Sequence, residues 1–498
     1  MDIFKFTKKI QENIFFSNGQ EKNKKNEPIE FPASFTWGTA TAAFQIEGHP
    51  DEYREKLSDW AEWLDRPEKV KSPNGAGLAV KHYEKLEEDL TLINDLGADA
   101  YRFSFNWAAL HRGPDDFHEE TLAFYERLLD GLKVKPFATL VHFVLPNWLA
   151  KEGGWENPNT ACEFNNFVKF LLENFGEKIQ HWITFNEPNI FLGFGYESGI
   201  WPPGKTNDLN GYFKAYQGML TAHELAYKSI KEFNPSHQVG FSQNMYYFQS
   251  YQESQEGEAE DTNKPKIKPE TETNKSHISP YKRRVDLDQV PAVIRDQLHN
   301  YSFIESCLDM GSLDFLGVNY YTRFIYKFST QAKDPANPHL DSLLWGQLQS
   351  TLKGLKNEES PITRVREQSH NSLGWEIYPE GLYKVLSSEK FKKLLGNKPI
   401  FITENGSSHI ETSPEDKDLE DKYRIDFIKG HLEAIHRAIQ ENVNIQGYFY
   451  WSLIDNFEWA LGMEPRFGLI HVDHETYNRT PKASYHYYSD ICKTNQII

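Results

Sequence analysis

The chain is short of several things, and each shortage removes a class of function. It carries three cysteines in 498 residues, Cys162, Cys307 and Cys492, widely spaced and odd in number. That spacing supplies neither a disulfide framework nor a zinc motif, and such sparse usage fits a reducing compartment. No run of about 18 apolar residues occurs, so nothing reads as a membrane-spanning helix. Residues 1–30 are polar and lysine-rich, and Ile14-Phe15-Phe16 is too short for the apolar region of a signal peptide. They are expected to form a disordered leader on a cytoplasmic protein. Basic residues are outnumbered, 54 Lys and Arg against 72 Asp and Glu, for a net charge of −18. That balance argues against nucleic acid or an anionic membrane surface as the main partner, since both need a basic face. No Gly-rich phosphate turn follows the first strand, no His/carboxylate cluster has metal spacing, and no Ser or Cys stands beside a general base. No metal or organic cofactor is called for.

What the chain does have is aromatic residues, 14% of the total, with 12 Trp, 25 Tyr and 34 Phe. Most belong in a core, but aromatic faces also stack on the C–H faces of sugar rings. Two stretches share one grammar. Ile400-Phe401-Ile402-Thr403 reads as a buried strand that ends on Glu404 and then on the turn dipeptide Asn405-Gly406. His181-Trp182-Ile183-Thr184-Phe185-Asn186 delivers Glu187 in the same way. A carboxylate at the mouth of a buried strand is held rigidly and partly desolvated, which suits a nucleophile or a titrating acid. A solvated or ion-paired Glu is the commoner fate of one such residue; two in the same setting are the raw material for two-carboxylate chemistry.

The rest of the chain alternates. Strands are expected at Phe35–Ala40, running on into Ala43–Gly48, at Ala100–Trp107, Lys135–Phe143, His181–Glu187, Gln238–Asn244, Leu313–Tyr321, Ile400–Glu404 and Gly447–Leu453. Helices are expected at Leu78–Leu96, Glu119–Leu132, Thr160–Phe175, Tyr212–Phe233, Val293–Asp309, 380–394 and 420–440. About eight strand–helix repeats without a restart predict a single (β/α)8 barrel over residues 31–498, rather than several domains. An open doubly wound sheet is the alternative, and it usually carries the missing phosphate turn. A low-complexity insertion at 250–290 falls between the fifth strand and its helix, and a second long connection spans roughly 325–372. Both lie on the C-terminal face, where barrel enzymes place their active sites.

Polar residues at C-terminal strand ends should converge on that face. They are Gln45, Arg102, His142, Asn186 with Glu187, Asn319 with Tyr321, Glu404 and Trp451. Two carboxylates, neutral hydrogen-bonding groups, one Arg and an aromatic floor fit a neutral polyol substrate. Carboxylates flanking a glycosidic bond are what acid-assisted displacement at an acetal requires.

Thr184-Phe185-Asn186-Glu187-Pro188 and Ile402-Thr403-Glu404-Asn405-Gly406 resemble the two signature motifs of family 1 glycoside hydrolases, the β-glucosidase family. The resemblance extends from about Phe31 to Asp490 through Phe35-Thr36-Trp37-Gly38, Gln45-Ile46-Glu47-Gly48, Tyr101-Arg102-Phe103-Ser104, Leu316–Thr322, Gly374–Leu382 and Tyr450–Trp459. It implies a retaining, exo-acting β-glycosidase, most simply a β-glucosidase, in which Glu404 is the nucleophile and Glu187 the acid/base. Their carboxyl groups should then lie roughly 5–5.5 Å apart. It further implies that Arg102 and Tyr321 hold Glu404 and that Asn186 meets the sugar 2-hydroxyl. Gln45, His142, Trp451 and Glu458 would be glycone contacts, with Asn319 beside them, Trp459 and Phe467 walling that end, and Trp375 an aglycone platform.

Packing alone would also account for Trp451, Trp459 and Phe467, and a satisfied core histidine for His142. The chain departs from the family in having Phe143-Val144 after His142, where Trp-Asp is usual, and Ala108-Ala109 after Trp107. Both bear on glycone preference. Met463-Glu464-Pro465-Arg466 lacks the Lys of a phosphate clamp, and an anionic Glu458 would repel a 6-phosphate. The expected ligands are small β-glycosides or short β-linked oligosaccharides. A sugar-binding protein without catalysis, and an enzyme that transfers the glycosyl group to an alcohol, are the competing readings. The oligomeric state stays open, a homo-oligomer included.

Overall fold

In the computed structural model the described residues run from 28 to 497, apart from 67, 72–76, 251–288, 327–369 and 411–418. Residues 251–288 of the expected insertion, most of the 325–372 connection and residues 1–27 of the expected leader therefore lie outside them. Within that leader, Ile29–Glu30 pairs antiparallel with Gln496–Ile497.

Eight parallel strands close a barrel in chain order: β1 (Thr36–Ala40), β2 (Ala100–Ser104), β3 (Lys135–Val141), β4 (His181–Asn186), β5 (Gln238–Asn244), β6 (Phe315–Asn319), β7 (Ile400–Asn405) and β8 (Ile445–Trp451). The main helices that follow them are α1 (Leu86–Asp95), α2 (Glu119–Gly131), α3 (Pro158–Phe175), α4 (Leu209–Phe233), α5 (Ser302–Asp309), α6 (Pro379–Ser387), α7 (Lys422–Gln440) and α8 (Ala483–Thr494). This is the expected (β/α)8 barrel, and β8 pairing with β1 rules out an open sheet.

The barrel is a packed core, not a pore. Its lower interior is filled by Phe137, Phe315, Phe401 and Phe449, with Ala40, Ala100 and Ile183 between them. Large rings fit because small residues face them: a Cβ at Gly38 would lie 2.4 Å from the Phe449 ring. The plug leaves the C-terminal mouth as the place where polar side chains gather. There the ladder slips, between Ile183 and Asn186, between Val318 and Asn319, and between Ile402 and Asn405. Bulges re-aim side chains, and these three sit where strands deliver Glu187, Asn319 and Glu404.

Element ends differ from the sequence reading for local reasons. The helix expected from Leu78 starts at Leu86. Ahead of it, Val80 and His82 donate their amides to the Ile46 carbonyl, and Ala79 and Lys81 take positive φ. The first strand does not run on; Ala43–Ile46 is a helical turn. The second stops at Ser104, because Asn106 caps a turn at Trp107–Leu110 by accepting from the Ala109 amide at 3.0 Å. The helix expected over 380–394 is two, since Ser388 caps a new one at Glu389–Leu395. The helix expected over Val293–Asp309 contains a π-helical stretch at Asp296–Tyr301.

Candidate active site

Glu404 is the penultimate residue of β7 and is 3% exposed. The turn that follows needs glycine, as a Cβ at Gly406 would lie 1.7 Å from the Trp451 carbonyl oxygen. Arg102 Nη1 meets Glu404 Oε1 at 2.6 Å, and the Tyr321 hydroxyl donates to Oε2 at 2.7 Å. Burial leaves the Glu404 pKa above the usual glutamate value, with the Arg102 charge and these hydrogen bonds offsetting only part of the rise.

Glu187 stands at the elbow between β4 and the short helix Pro188–Leu192, with φ 45° and ψ 61°. That left-handed backbone is uncommon for a residue with a side chain. The Glu187 amide is fixed on the Ser242 carbonyl at 2.7 Å. Its Oε1 accepts from Asn319 Nδ2 at 2.8 Å and Asn244 Nδ2 at 3.0 Å. Burial first and the Glu404 charge second raise its pKa to about 8. The two carboxyls are thus poised differently: one is clamped by a cation and a phenol, the other receives only neutral amides.

The neighbouring amides lock in sequence. Arg102 Nη2 donates to Asn186 Oδ1 at 2.7 Å, and Asn319 Nδ2 donates to the same oxygen at 3.0 Å. The Asn186 nitrogen must then face His142 Nε2, 3.1 Å away. That nitrogen accepts, so His142 carries its proton on Nδ1, a buried atom without a partner among the described residues. Burial and the Arg102 charge hold the ring well below the usual histidine range and therefore neutral. Gln45 Nε2 is taken by the Phe457 carbonyl at 2.8 Å and Asn456 Oδ1 at 3.0 Å, leaving its Oε1 buried and without a partner among the described residues. One unused donor and one unused acceptor are what a hydroxylated ligand would satisfy.

The aromatic walls fall into place around these groups. The His142 ring stacks between Trp451 at 5.6 Å and Trp459 at 6.1 Å. Phe143 packs on Trp201 and Trp459, so the position holds an apolar edge without an N–H. Phe467 and half-buried Trp375 lie 6.2 Å apart on the other side, each next to Tyr321. Glu458 touches Gln45 Nε2 at 3.4 Å, and desolvation, then Glu404 and Glu187, raise its pKa to about 8. Near neutral pH its carboxyl therefore carries less negative charge than an ordinary glutamate, which weakens the repulsion expected of a 6-phosphate. No Lys or Arg is among the groups that shift it.

All thirteen expected site residues are therefore in or against one constellation at the barrel mouth. Sequence reasoning missed Asn244, although it ends β5 as Asn186 and Asn319 end theirs. It also missed Thr403 and Thr139, which orient Asn319 and Arg102 through hydrogen bonds of 2.7 and 3.1 Å. Among the described residues no three His, Cys, Asp or Glu converge as metal ligands, and no helix is long and apolar enough to cross a membrane.

A closed (β/α)8 barrel whose mouth carries two inequivalent buried carboxyls among sugar-sized hydrogen-bonding groups defines a glycoside hydrolase. The profile of Glycosyl hydrolase family 1 matches residues 27–497, and the chain belongs to that family. It is 34% identical to beta-glucosidase A of Thermotoga maritima, over 94% of this chain and 98% of that protein. It is 32% identical to an aryl-phospho-beta-D-glucosidase of Bacillus subtilis, over 94% of this chain and 98% of that one. The T. maritima beta-glucosidase solved in complex with deoxynojirimycin superposes with a TM-score of 0.75 at 31% identity, over 94% of this chain and 100% of that one.

Proposed function

We propose that this retaining, exo-acting β-glucosidase works through Glu404 as nucleophile and Glu187 as acid/base. The observation that carries the assignment is the unequal environment of the two carboxyls. Glu404, paired with Arg102 and Tyr321, attacks the anomeric carbon. Glu187, its pKa near 8, gives its proton to the departing glycosidic oxygen as that bond breaks. A glycosyl ester to Glu404 results. Glu187, now ionised, takes a proton from water, whose oxygen bonds to the anomeric carbon and frees Glu404. Two inversions leave the β-configuration intact.

His142 Nδ1 and Gln45 Oε1 supply a donor and an acceptor to glycone hydroxyls, Asn186 lies beside the 2-hydroxyl, and Trp451 stacks on the ring. Glu458, as a neutral acid, donates to the far hydroxyls, with Trp459 and Phe467 as walls. Asn319 and Asn244 orient Glu187, and Trp375 faces the aglycone. The substrates are small β-glucosides or short β-linked oligosaccharides with free 6-hydroxyls, since no Lys or Arg among the described residues acts on Glu458. Three unpaired thiols and an acidic chain support a cytoplasmic enzyme that engages neither nucleic acid nor membrane surface.

The test is hydrolysis of nitrophenyl β-glucoside and its 6-phosphate, following the product anomer by NMR. Glu404→Gln should abolish turnover in a folded protein. Glu187→Ala should regain part of its rate with azide, an anionic nucleophile that displaces Glu404 from the glycosyl ester without a base to deprotonate it. Wild-type rates in both variants, or silence of the wild type on every unphosphorylated β-glycoside, would refute the assignment.

A further inference from the structure

The four residues that follow β6 serve two places at once. Tyr321 reaches Glu404, as described. Its neighbours grip a different segment. The Tyr320 hydroxyl donates to the Tyr378 carbonyl at 2.8 Å, and Thr322 Oγ1 donates to the Glu376 carbonyl at 2.9 Å. Arg323 forks onto the Glu376 carboxylate, Nε to Oε2 at 2.8 Å and Nη2 to Oε1 at 2.7 Å. Its remaining nitrogen donates to Gln249 Oε1 at 2.6 Å, and its guanidinium lies 3.8 Å above the Tyr378 ring. The ion-paired side chains are 6% and 10% exposed.

Glu376 is the residue next to Trp375, whose ring centroid is 5.7 Å from that of Tyr321. One short stretch thus sets both the phenol on Glu404 and the backbone that carries Trp375. A buried ion pair is a weak source of net stability, because desolvation offsets attraction. A bidentate fork instead fixes direction and distance.

We propose that Arg323 and Glu376 form a positioning pair that fixes Trp375 and thereby sets the aglycone specificity of this enzyme, without touching the reacting atoms. The proposal rests on the reading of Glu404 and Trp375 given above. Loosening the pair lets Trp375 drift from the leaving group while the glycone contacts, on other strand ends, stay in place.

The experiment is a double-mutant cycle between the pair and the platform. Arg323→Lys and Glu376→Gln are each made alone and with Trp375→Ala, in the full-length chain. Each single variant should raise KM for nitrophenyl β-glucoside about 5–20-fold with kcat within about 3-fold, the pattern of lost binding rather than lost transition-state contact. Inhibition by deoxynojirimycin, which has no aglycone, should stay within about 2-fold, since its contacts do not include the platform. In the Trp375→Ala background neither substitution should raise KM further, because coupled residues are not additive. Arg323→Lys should be the milder, keeping the charge without the fork.

Additive effects on KM, weakened deoxynojirimycin inhibition in parallel with KM, or unchanged KM in both singles would overturn the proposal. Should Glu376→Gln fail to fold, the charge-conserving Arg323→Lys carries the cycle alone. A wild-type chain that cleaves no β-glucoside would overturn the reading of the site and this proposal together, whereas an active wild type with an additive cycle sinks the pair alone.

Discussion

Arg102 Nη1 lies 2.6 Å from Glu404 Oε1, and their side chains are 0% and 5% exposed. The same guanidinium holds Asn186 at 2.7 Å, Thr139 at 3.1 Å and the Thr403 carbonyl at 3.1 Å. One planar fork therefore fixes the nucleophile, the next amide and two strands in a single orientation. Lysine has the charge but not the fork. Arg102→Lys should lower kcat for nitrophenyl β-glucoside by about 10²-fold or more, the scale of losing one preorganised electrostatic contact. Arg102→Met should also cost about 3–5 kcal/mol of stability, because it strands a buried carboxylate. Steady-state kinetics beside chemical denaturation check both, and a lysine variant of wild-type rate would show that charge alone suffices.

The pH profile should separate two carboxyls that both titrate near 8. If Glu187 is the proton donor, kcat/KM falls as pH rises through about 8, because the free enzyme loses the proton it must give. Glu458→Gln should keep that alkaline limb, since it removes a different titration. Glu187→Gln should flatten it, with residual activity confined to substrates whose leaving group needs no proton. A limb that vanishes in Glu458→Gln instead would transfer the controlling titration to Glu458. Coupling between the groups makes each midpoint a property of the set, so the comparison of variants decides, not the absolute value.

The barrel was legible because period, length and strand-end chemistry agreed over the whole chain. Glu187 and Glu404 could be read for the same reason: each ends an apolar strand and starts a turn. What stayed hidden was tertiary. The positive φ at Ala79 and Lys81, which delays α1, comes with backbone bonds from Val80 and His82 to distant Ile46. The break at Ser388 was not read from the sequence, where 380–394 passes as one helix. Asn244 was passed over because nothing local marks which asparagine at a strand end meets a carboxyl. The raised Glu458 pKa could not be read at all, since it follows from burial and from two carboxylates distant in sequence. The Arg323–Glu376 fork was equally silent, as its partners are 53 residues apart.

His142 Nδ1–H faces no acceptor among the described residues, and its neighbour Asn186 fixes which nitrogen holds the proton. A buried donor left empty costs about 1–3 kcal/mol unless a ligand fills it. His142→Phe keeps a ring between Trp451 and Trp459 and deletes the donor. It should lower kcat/KM by about 10–100-fold, the value of one such hydrogen bond. Against a series of deoxy-glucosides, the gap between wild type and variant should close for the analogue that lacks the hydroxyl served by His142. A gap of constant size across the series would mean that the imidazole bonds no hydroxyl.

Stability should run against function in the same site. Glu187 and Glu458 have folded-state pKa values near 8, above the value of about 4.3 for an unfolded glutamate. A folded state that binds protons more tightly is favoured at low pH. Each group's contribution is complete below about pH 4.3 and is lost as pH rises through about 8. Near neutrality both carboxyls therefore strain the fold, and a neutral isostere relieves that strain. Glu187→Gln and Glu458→Gln should each raise Tm by about 1–3 °C at pH 8 and by nothing measurable at pH 4. Melting curves at the two pH values check the sign. A gain of equal size at both would assign the stabilisation to packing, and a loss at pH 8 would mean that the carboxylates are ionised and well paired in the free enzyme. The expected outcome makes the acid/base a residue held against its own solvation, so that its proton is still available at the pH where the substrate arrives.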